Sequence, residues 1–251
     1  NSIEISPNLE YAMLACRRTN PNIIAVLNIG DAVSCGKWEP FTDSILVSWL
    51  GGQGMGRAVA ETLFGRNNPS GKLPETFPKS LSDVKSLENY PGDGYKVKYE
   101  EGLMVGYRHF DTNHIEPEYE FGFGLSYSAF EFANPELDGN TLSFDITNIS
   151  DRDGEETAQV YIEFPRESWT SHPAQELKAF EKVQIPAHET KRVVIELSED
   201  AFTYYNTALR KWTVENGTYR IKVGNSSRNL PLSVAKEMKS GDLLTQIHWT
   251  F

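Results

Sequence analysis

The hydrophobic pattern changes period part-way along the chain, and the change falls near residue 127. Residues 8–19, NLEYAMLACRRT, place Leu9, Ala12, Met13 and Cys16 at i, i+3, i+4 and i+7, which predicts an amphipathic helix. Arg17 and Arg18 suit its last turn, where backbone carbonyls lack partners, and Pro21 ends it. The run NIIAVLNIG (22–30) is continuously apolar, rich in branched residues and too short for a helix. It predicts a strand buried on both faces, as in a parallel sheet, and ILVSW (45–49) predicts a second. In GGQGMGRAVAETLFG (51–65), Met55, Val59 and Leu63 recur four apart with Ala58 and Thr62 alongside, so a helix packs on that sheet and closes at Gly65. This succession has the texture of a wound α/β unit.

Residues 66–100 are rich in Pro, Gly, Ser and Asn, but Leu73, Phe77, Leu81 and Leu87 give anchors, which predicts a long ordered loop. Loops of this length in compact proteins are often functional. Residues 98–110 suggest a short strand or a helical turn, and 116–132 crowd aromatics around Gly122 and Gly124, as a crossing segment packed under both domains would. Beyond it the period becomes two. Leu142, Phe144 and Ile146 share one face, as do Ala158, Val160, Ile162 and Phe164, then Val193, Ile195 and Leu197, then Tyr219, Ile221 and Val223. The turn-rich stretches SDRDGE, IPAHET and VENGT separate them. The expected fold is an α/β partial sandwich domain over residues 1–127, followed by an all-β sandwich of immunoglobulin or fibronectin type III kind over 128–251.

Composition narrows the functional classes. The 251 residues carry a net charge of −11, which argues against a general nucleic-acid binder or an anionic-membrane binder. No run of 18 apolar residues exists to span a bilayer. The first residues hold neither a methionine nor a signal-peptide pattern, so the segment reads as a processed or excised piece, with bacterial cytoplasm and secretion both open. Cys16 and Cys35 could form one bridge or stand as two buried thiols, and the helical stripe holding Cys16 favours thiols. Asn148, Asn216 and Asn225 each open a glycosylation triplet, which carries no weight without a secretory context.

Most chemical motifs fail on register. GGQGMG lacks the dinucleotide fingerprint, because Arg57 stands where the third glycine is needed. Ser70-Gly71-Lys72 lacks the frame of a phosphate loop. The five histidines show no metal spacing, SDRDGEE lacks the calcium-loop pattern, and no Gly-x-Ser-x-Gly elbow occurs. No cofactor and no metal are expected. Trp38 and Trp49 suit a core better than a sugar platform. Carboxylates on glycine-rich loops, Asp93 and Glu101 among them, could serve a glycosidase, which needs two carboxyl groups flanking the sugar bond.

The motif series is more specific. NPNIIAVLNIGDAV followed by SWLGGQGMGRAVAETLFGRNNPSGKLPETFPKS, then YEEGLMVGYRHFD and EYEFGFGLSYSAFEF, resembles the C-terminal half of the α/β sandwich domain of glycoside hydrolase family 3. NISDRDGEETAQVYIEFP, ELKAFEKVQIPAHET and WTVENGTYRIKVGNSSRNLPLS resemble that family's fibronectin type III-like domain. The resemblance implies part of a retaining, exo-acting β-glucosidase, with a β-xylosidase of the same family as alternative. A noncatalytic carbohydrate-binding or structural module is the alternative from another class. It also implies a nucleophilic aspartate on a (β/α)8 barrel and a glutamate acid/base earlier in the sandwich domain. Neither region is among these residues, so no catalytic residue is carried over and the chain alone is expected to be inactive. Gln53, Asp93 and Glu101 remain as candidate substrate-binding residues on the rim of a cleft. The expected partners are an oligosaccharide or small glycoside, and the barrel and first half-domain on this chain or another; a homo-oligomer is compatible with the reading.

Overall fold

A computed structural model of the chain describes residues 2–166 and 171–239. They form two compact units. The first holds the residues up to Pro69 together with Leu73–Phe123, and the second holds Ser70–Lys72 and the residues from Gly124 onward.

In the first unit, helix α1 (Pro7–Thr19) starts with proline at its first position, where the missing N–H costs nothing. Of the expected stripe only Met13 turns in. Met13 and Leu14 are half-buried, whereas Leu9 is 56% exposed and Cys16 is exposed. Arg17 of this helix lies 2.8 Å from Asp43, whose carboxylate also accepts the Ile23 N–H at 2.8 Å. Strands β1 (Ile24–Leu27) and β2 (Ser44–Val47) pair in parallel, Ile24 opposite Ser44. They are not buried on both faces: Ala25, Leu27, Ile45 and Val47 pack on a cluster of Cys35, Trp38 and Phe77, while Ile24 and Val26 are 52% and 41% exposed. Alternation along the strand sends these two to the side opposite the cluster.

Helix α2 (Met55–Leu63) turns Met55, Val59 and Thr62 inward, and leaves Leu63 and Ala58 exposed. Its end is a Schellman cap. Gly65, at φ 70°, donates to Thr62 O and Arg66 donates to Glu61 O. Phe77, 1% exposed, anchors the long loop as expected, and its N–H donates to Tyr119 O at 2.8 Å. Helix α3 (Tyr107–Thr112) is the helical turn of the 98–110 segment.

The second unit is a sandwich of two antiparallel sheets. One orders β3 (Phe130–Asp138), β4 (Thr141–Asn148) and β7 (Thr190–Glu196). The other orders β11 (Leu232–Met238), β10 (Gly217–Gly224), β5 (Gly154–Glu163) and β6 (Glu176–Ile185). A hairpin of β8 (Tyr204–Asn206) and β9 (Lys211–Thr213) completes it. Every inward residue read from the alternation lies in this core, with Leu142, Phe144, Ile146, Val160, Ile162 and Ile221 fully buried. Strand β5 departs from strict alternation because Gln159 and Tyr161 are buried too; the Tyr161 hydroxyl donates to Gln159 Oε1, and Gln159 Nε2 donates to Asn225 O, both at 2.7 Å.

Both cysteines are free thiols, Cys35 buried and Cys16 exposed, so the expectation of two buried thiols fails at Cys16. Of the three sequon asparagines, Asn148 is fully buried and donates its amide to Arg152 O and Ile185 O, and Asn225 donates to Glu156 Oε2; Asn216 is exposed. Phe144 stacks on Phe132 with ring centroids 6.2 Å apart. Phe144→Ala should lower the stability of the second unit by about 3–5 kcal/mol, read from the urea midpoint; an unchanged midpoint would remove Phe144 from the core.

Candidate functional site

In open parallel sheets ligands bind beyond the carboxyl ends of the strands. Two acidic or amide side chains follow those ends here, Asp31 after β1 and Gln53 after β2. Asp31 Oδ1 accepts its neighbour's N–H, from Ala32, at 2.8 Å. Glu75, from the long loop, shares a hydrogen bond with the Asp31 carboxyl and also accepts from the Ala32 N–H. Burial, then the Asp31 carboxyl, push Glu75 up to about 7. Next to it, the buried Thr76 hydroxyl has no hydrogen-bond partner among the described residues.

A second carboxyl pair lies close to the buried cluster. The Tyr119 hydroxyl donates to Glu39 Oε1 at 2.5 Å. Glu118 is raised by burial and then by its hydrogen bond to Glu39, and Tyr119 is raised by burial and then by the same glutamate. Burial first, and then Glu118 and Glu39, push the Cys35 thiol up to about 12, which keeps it protonated and unreactive. These two pairs can each hold a proton between carboxyl groups. No nucleophile stands activated beside a base in either.

The three candidates from the sequence lie apart in environment. Gln53 is exposed in a single 3-10 turn ahead of α2. Asp93 is exposed, and its Oδ1 accepts the Tyr95 and Lys96 N–H groups at 3.0 and 2.8 Å, which hold its carboxyl below the ordinary value. Glu101 is half-buried, and its Oε2 is buried without a partner among the described residues. Asp93 shares an open recess of about 260 Å³ with Glu88, Asn89, Tyr90 and Lys96; neither Gln53 nor Glu101 lines it. Sequence reasoning did not find Asp31, Glu75, Glu39 or Glu118. The one local signal was the Gly-Asp step at the end of the first apolar run; the pairing itself is between distant loops. Among the described residues no three His, Cys, Asp or Glu side chains gather to hold a metal, and no helix is long and apolar enough to cross a membrane. His172 is a core side chain, stacked on Phe164 at 4.3 Å, with Nε2 3.3 Å from Glu215.

Residues 1–127 match the glycosyl hydrolase family 3 C-terminal domain, and residues 156–227 match the fibronectin type III-like domain. The chain belongs to glycosyl hydrolase family 3. It is 39% identical over 246 residues to thermostable β-glucosidase B of Acetivibrio thermocellus, covering 95% of this chain and 32% of that protein. Identity is 40% over 232 residues to an exo-α-(1→6)-L-arabinopyranosidase of Bifidobacterium breve, covering 90% of this chain and 30% of that one. The solved family 3 β-glucosidase of Bifidobacterium adolescentis superposes with a TM-score of 0.93 at 36% identity, over 100% of this chain and 38% of that one. β-Glucosidase 3B of Thermotoga neapolitana, solved with α-D-glucose, gives 0.87 at 41% identity, over 94% and 34%. The chain thus spans about a third of the relatives it matches. Its described residues form no closed barrel.

Glu75 has a direct consequence for stability. Its proton stays on in the native state while the unfolded chain loses it at the ordinary value of 4.5. Native stability therefore falls as pH rises from about 4.5 to about 7, and the contribution is intact only below that window. In Glu75→Gln this slope should disappear; urea midpoints of parent and variant that run parallel across the window would contradict it.

Proposed function

We propose that the chain is the C-terminal part of a retaining, exo-acting β-glucosidase that releases terminal β-linked glucose from oligosaccharides or glucosides. The observation that carries this reading is its match, over nearly all its length, to β-glucosidases from several organisms, with a TM-score of 0.93 to one of them. Retaining hydrolysis needs a nucleophile and an acid/base flanking the glycosidic bond. In this reading both lie outside these residues, on a barrel and on the first half of the α/β domain, and the exposed side of β1 and α1 suits a surface that other parts of the protein cover. No nucleic acid and no membrane is a partner.

Gln53, Asp93 and Glu101 are the rim residues of this reading. Gln53 follows a strand's carboxyl end, and Glu101 Oε2 is a buried acceptor whose donor is not among the described residues. Such an oxygen suits a sugar hydroxyl or a donor from the barrel. The second reading, an arabinopyranosidase, rests on the 40% identity to the Bifidobacterium breve enzyme. L-Arabinopyranose lacks the hydroxymethyl group of glucose and carries its 4-hydroxyl in the opposite orientation.

Three measurements test these points. The pure 251-residue chain should show no turnover of nitrophenyl β-glucoside, and measurable turnover that Glu101→Gln abolishes would refute the division of labour. In the complete enzyme Glu101→Gln should change KM or stability more than kcat. A kcat loss of about 10⁴-fold restored by azide would instead place a catalytic carboxylate here. Ranking kcat/KM of the complete enzyme on nitrophenyl β-glucoside and nitrophenyl α-L-arabinopyranoside separates the two readings.

A further inference from the structure

Within the first unit, two backbone segments, residues 73–77 and 118–123, join as a short ribbon. Leu73 donates its N–H to Phe123 O at 2.8 Å and Gly122 to Leu73 O at 2.9 Å; Phe77 donates to Tyr119 O and Glu118 to Phe77 O, both at 2.8 Å. The ribbon packs on the stretch that follows β1, residues 31–39: Phe77 shares the buried cluster with Ala32, Cys35 and Trp38, and Tyr119 lies against it. Two carboxyl pairs add polar ties, one for each segment. Glu75 of the first segment is hydrogen-bonded to Asp31, and Glu118 of the second to Glu39. The Tyr119 hydroxyl reaches Glu39 at 2.5 Å, and Glu118 Oε2 stands so near Gly36 that a Cβ there would lie 3.3 Å from it.

A hydrogen bond between two carboxyl groups needs a proton, because a carboxylate can only accept. In each pair the ribbon's glutamate keeps it. Burial, and then the facing carboxyl, push Glu75 up to about 7 and hold Glu118 above the ordinary glutamate value. Glu75 faces Asp31 and the Ala32 N–H, the latter favouring its charged form. Glu118 faces Glu39, and the Lys79 ammonium opposes the rise. Cys35 and Tyr119, both raised in the same surroundings, stay neutral beside it. Once a proton leaves, a hydrogen bond becomes two facing carboxylates, which repel.

We propose that the Asp31–Glu75 and Glu39–Glu118 pairs form a proton-operated clamp, which seats the ribbon on residues 31–39 while each pair holds its shared proton and loosens the seat when the protons leave. Other ties do not titrate: the Phe77 packing remains, as does the Ser34 hydroxyl, which donates to Lys79 O at 2.8 Å. The ribbon therefore opens more often at high pH rather than departing. Both glutamates are raised above 4.5, so the clamp is complete below that value; the Glu75 half weakens as pH rises through about 7. The ribbon is also the root of residues 78–117, which carry Asp93 and Glu101, so the clamp governs how firmly the base of that stretch is held.

Cys35 reports the opening, because it is fully buried beside Glu39 and Glu118. In the 251-residue chain carrying Cys16→Ser, the labelling rate of Cys35 by excess thiol reagent is divided by the rate in the same chain with Glu75→Gln and Glu118→Gln added. The amides donate to Asp31 and Glu39 at any pH, and the division cancels the ionisation of the thiol itself. The ratio should rise at least about tenfold between about pH 5 and about pH 8. A ratio that stays level overturns the clamp. Each single variant should lose part of the rise, and a parental rise in either one overturns the role of its pair. A second measurement needs no substitution. At about pH 6, where exposed carboxyls are ionised, the parent should keep the infrared carbonyl band of a neutral acid and should lose it by about pH 8. Absence of that band at the lower pH overturns the proposal as well.

Discussion

An ammonium and a carboxylate held together out of water set the terms for much of this chain. The buried Lys72–Glu156 pair is backed by further hydrogen bonds: the ammonium also donates to Gly124 O, and the carboxylate accepts from the Thr157 N–H and from Asn225 Nδ2. That arrangement propagates. Asn225 must present its amide to Glu156, so its own carbonyl takes Gln159 Nε2 and its N–H reaches Asn229 O at 3.1 Å. The turn that allows this needs Gly224, where any Cβ would stand 1.8 Å from Asn229 O. Gln159 in turn takes the Tyr161 hydroxyl. One end of the sandwich is thus organised by a polar chain that begins at a lysine lying far away in sequence.

Such a constraint explains what the sequence reveals and what it hides. The sandwich core is legible because half-buried antiparallel strands report their inward face at every second residue; Leu142, Phe144, Ile146, Val193, Ile195 and Leu197 all sit where the alternation puts them. Strand β3 escapes the same reading. Its pairing slips between Ala133 and Glu136, where Asn134 adopts φ 51° ahead of Pro135, and the period breaks. Strand β6 hides behind charges, since Lys178, Glu181 and Lys182 mark an edge strand kept from pairing further.

The α/β unit shows the opposite balance. Its elements appear in the sequence at nearly their true places, but their orientation does not. Apolar periodicity points Leu9, Ala12, Met13 and Cys16 inward on α1; of these only Met13 is half-buried, with Leu14 beside it, while the other three are exposed. Asp31 and Glu75, or Glu39 and Glu118, cannot be paired from spacing, because loops with no common period bring them together. The family, by contrast, is legible from the order of short motifs alone, because those motifs are the turns, caps and glycine contacts on which the fold depends. The Schellman cap at Gly65 and the Gly71–Gly124 approach both lie inside them.

The unequal cysteines have a practical side. Cys35 sits fully buried beside two glutamates, with its thiol pushed up to about 12, while Cys16 stands exposed on α1. Of the two sulfurs of this chain, a maleimide at neutral pH will therefore find Cys16. That sulfur lies on the outward side of the helix preceding β1, so a fluorophore or spin label placed there on the 251-residue chain reports on that face.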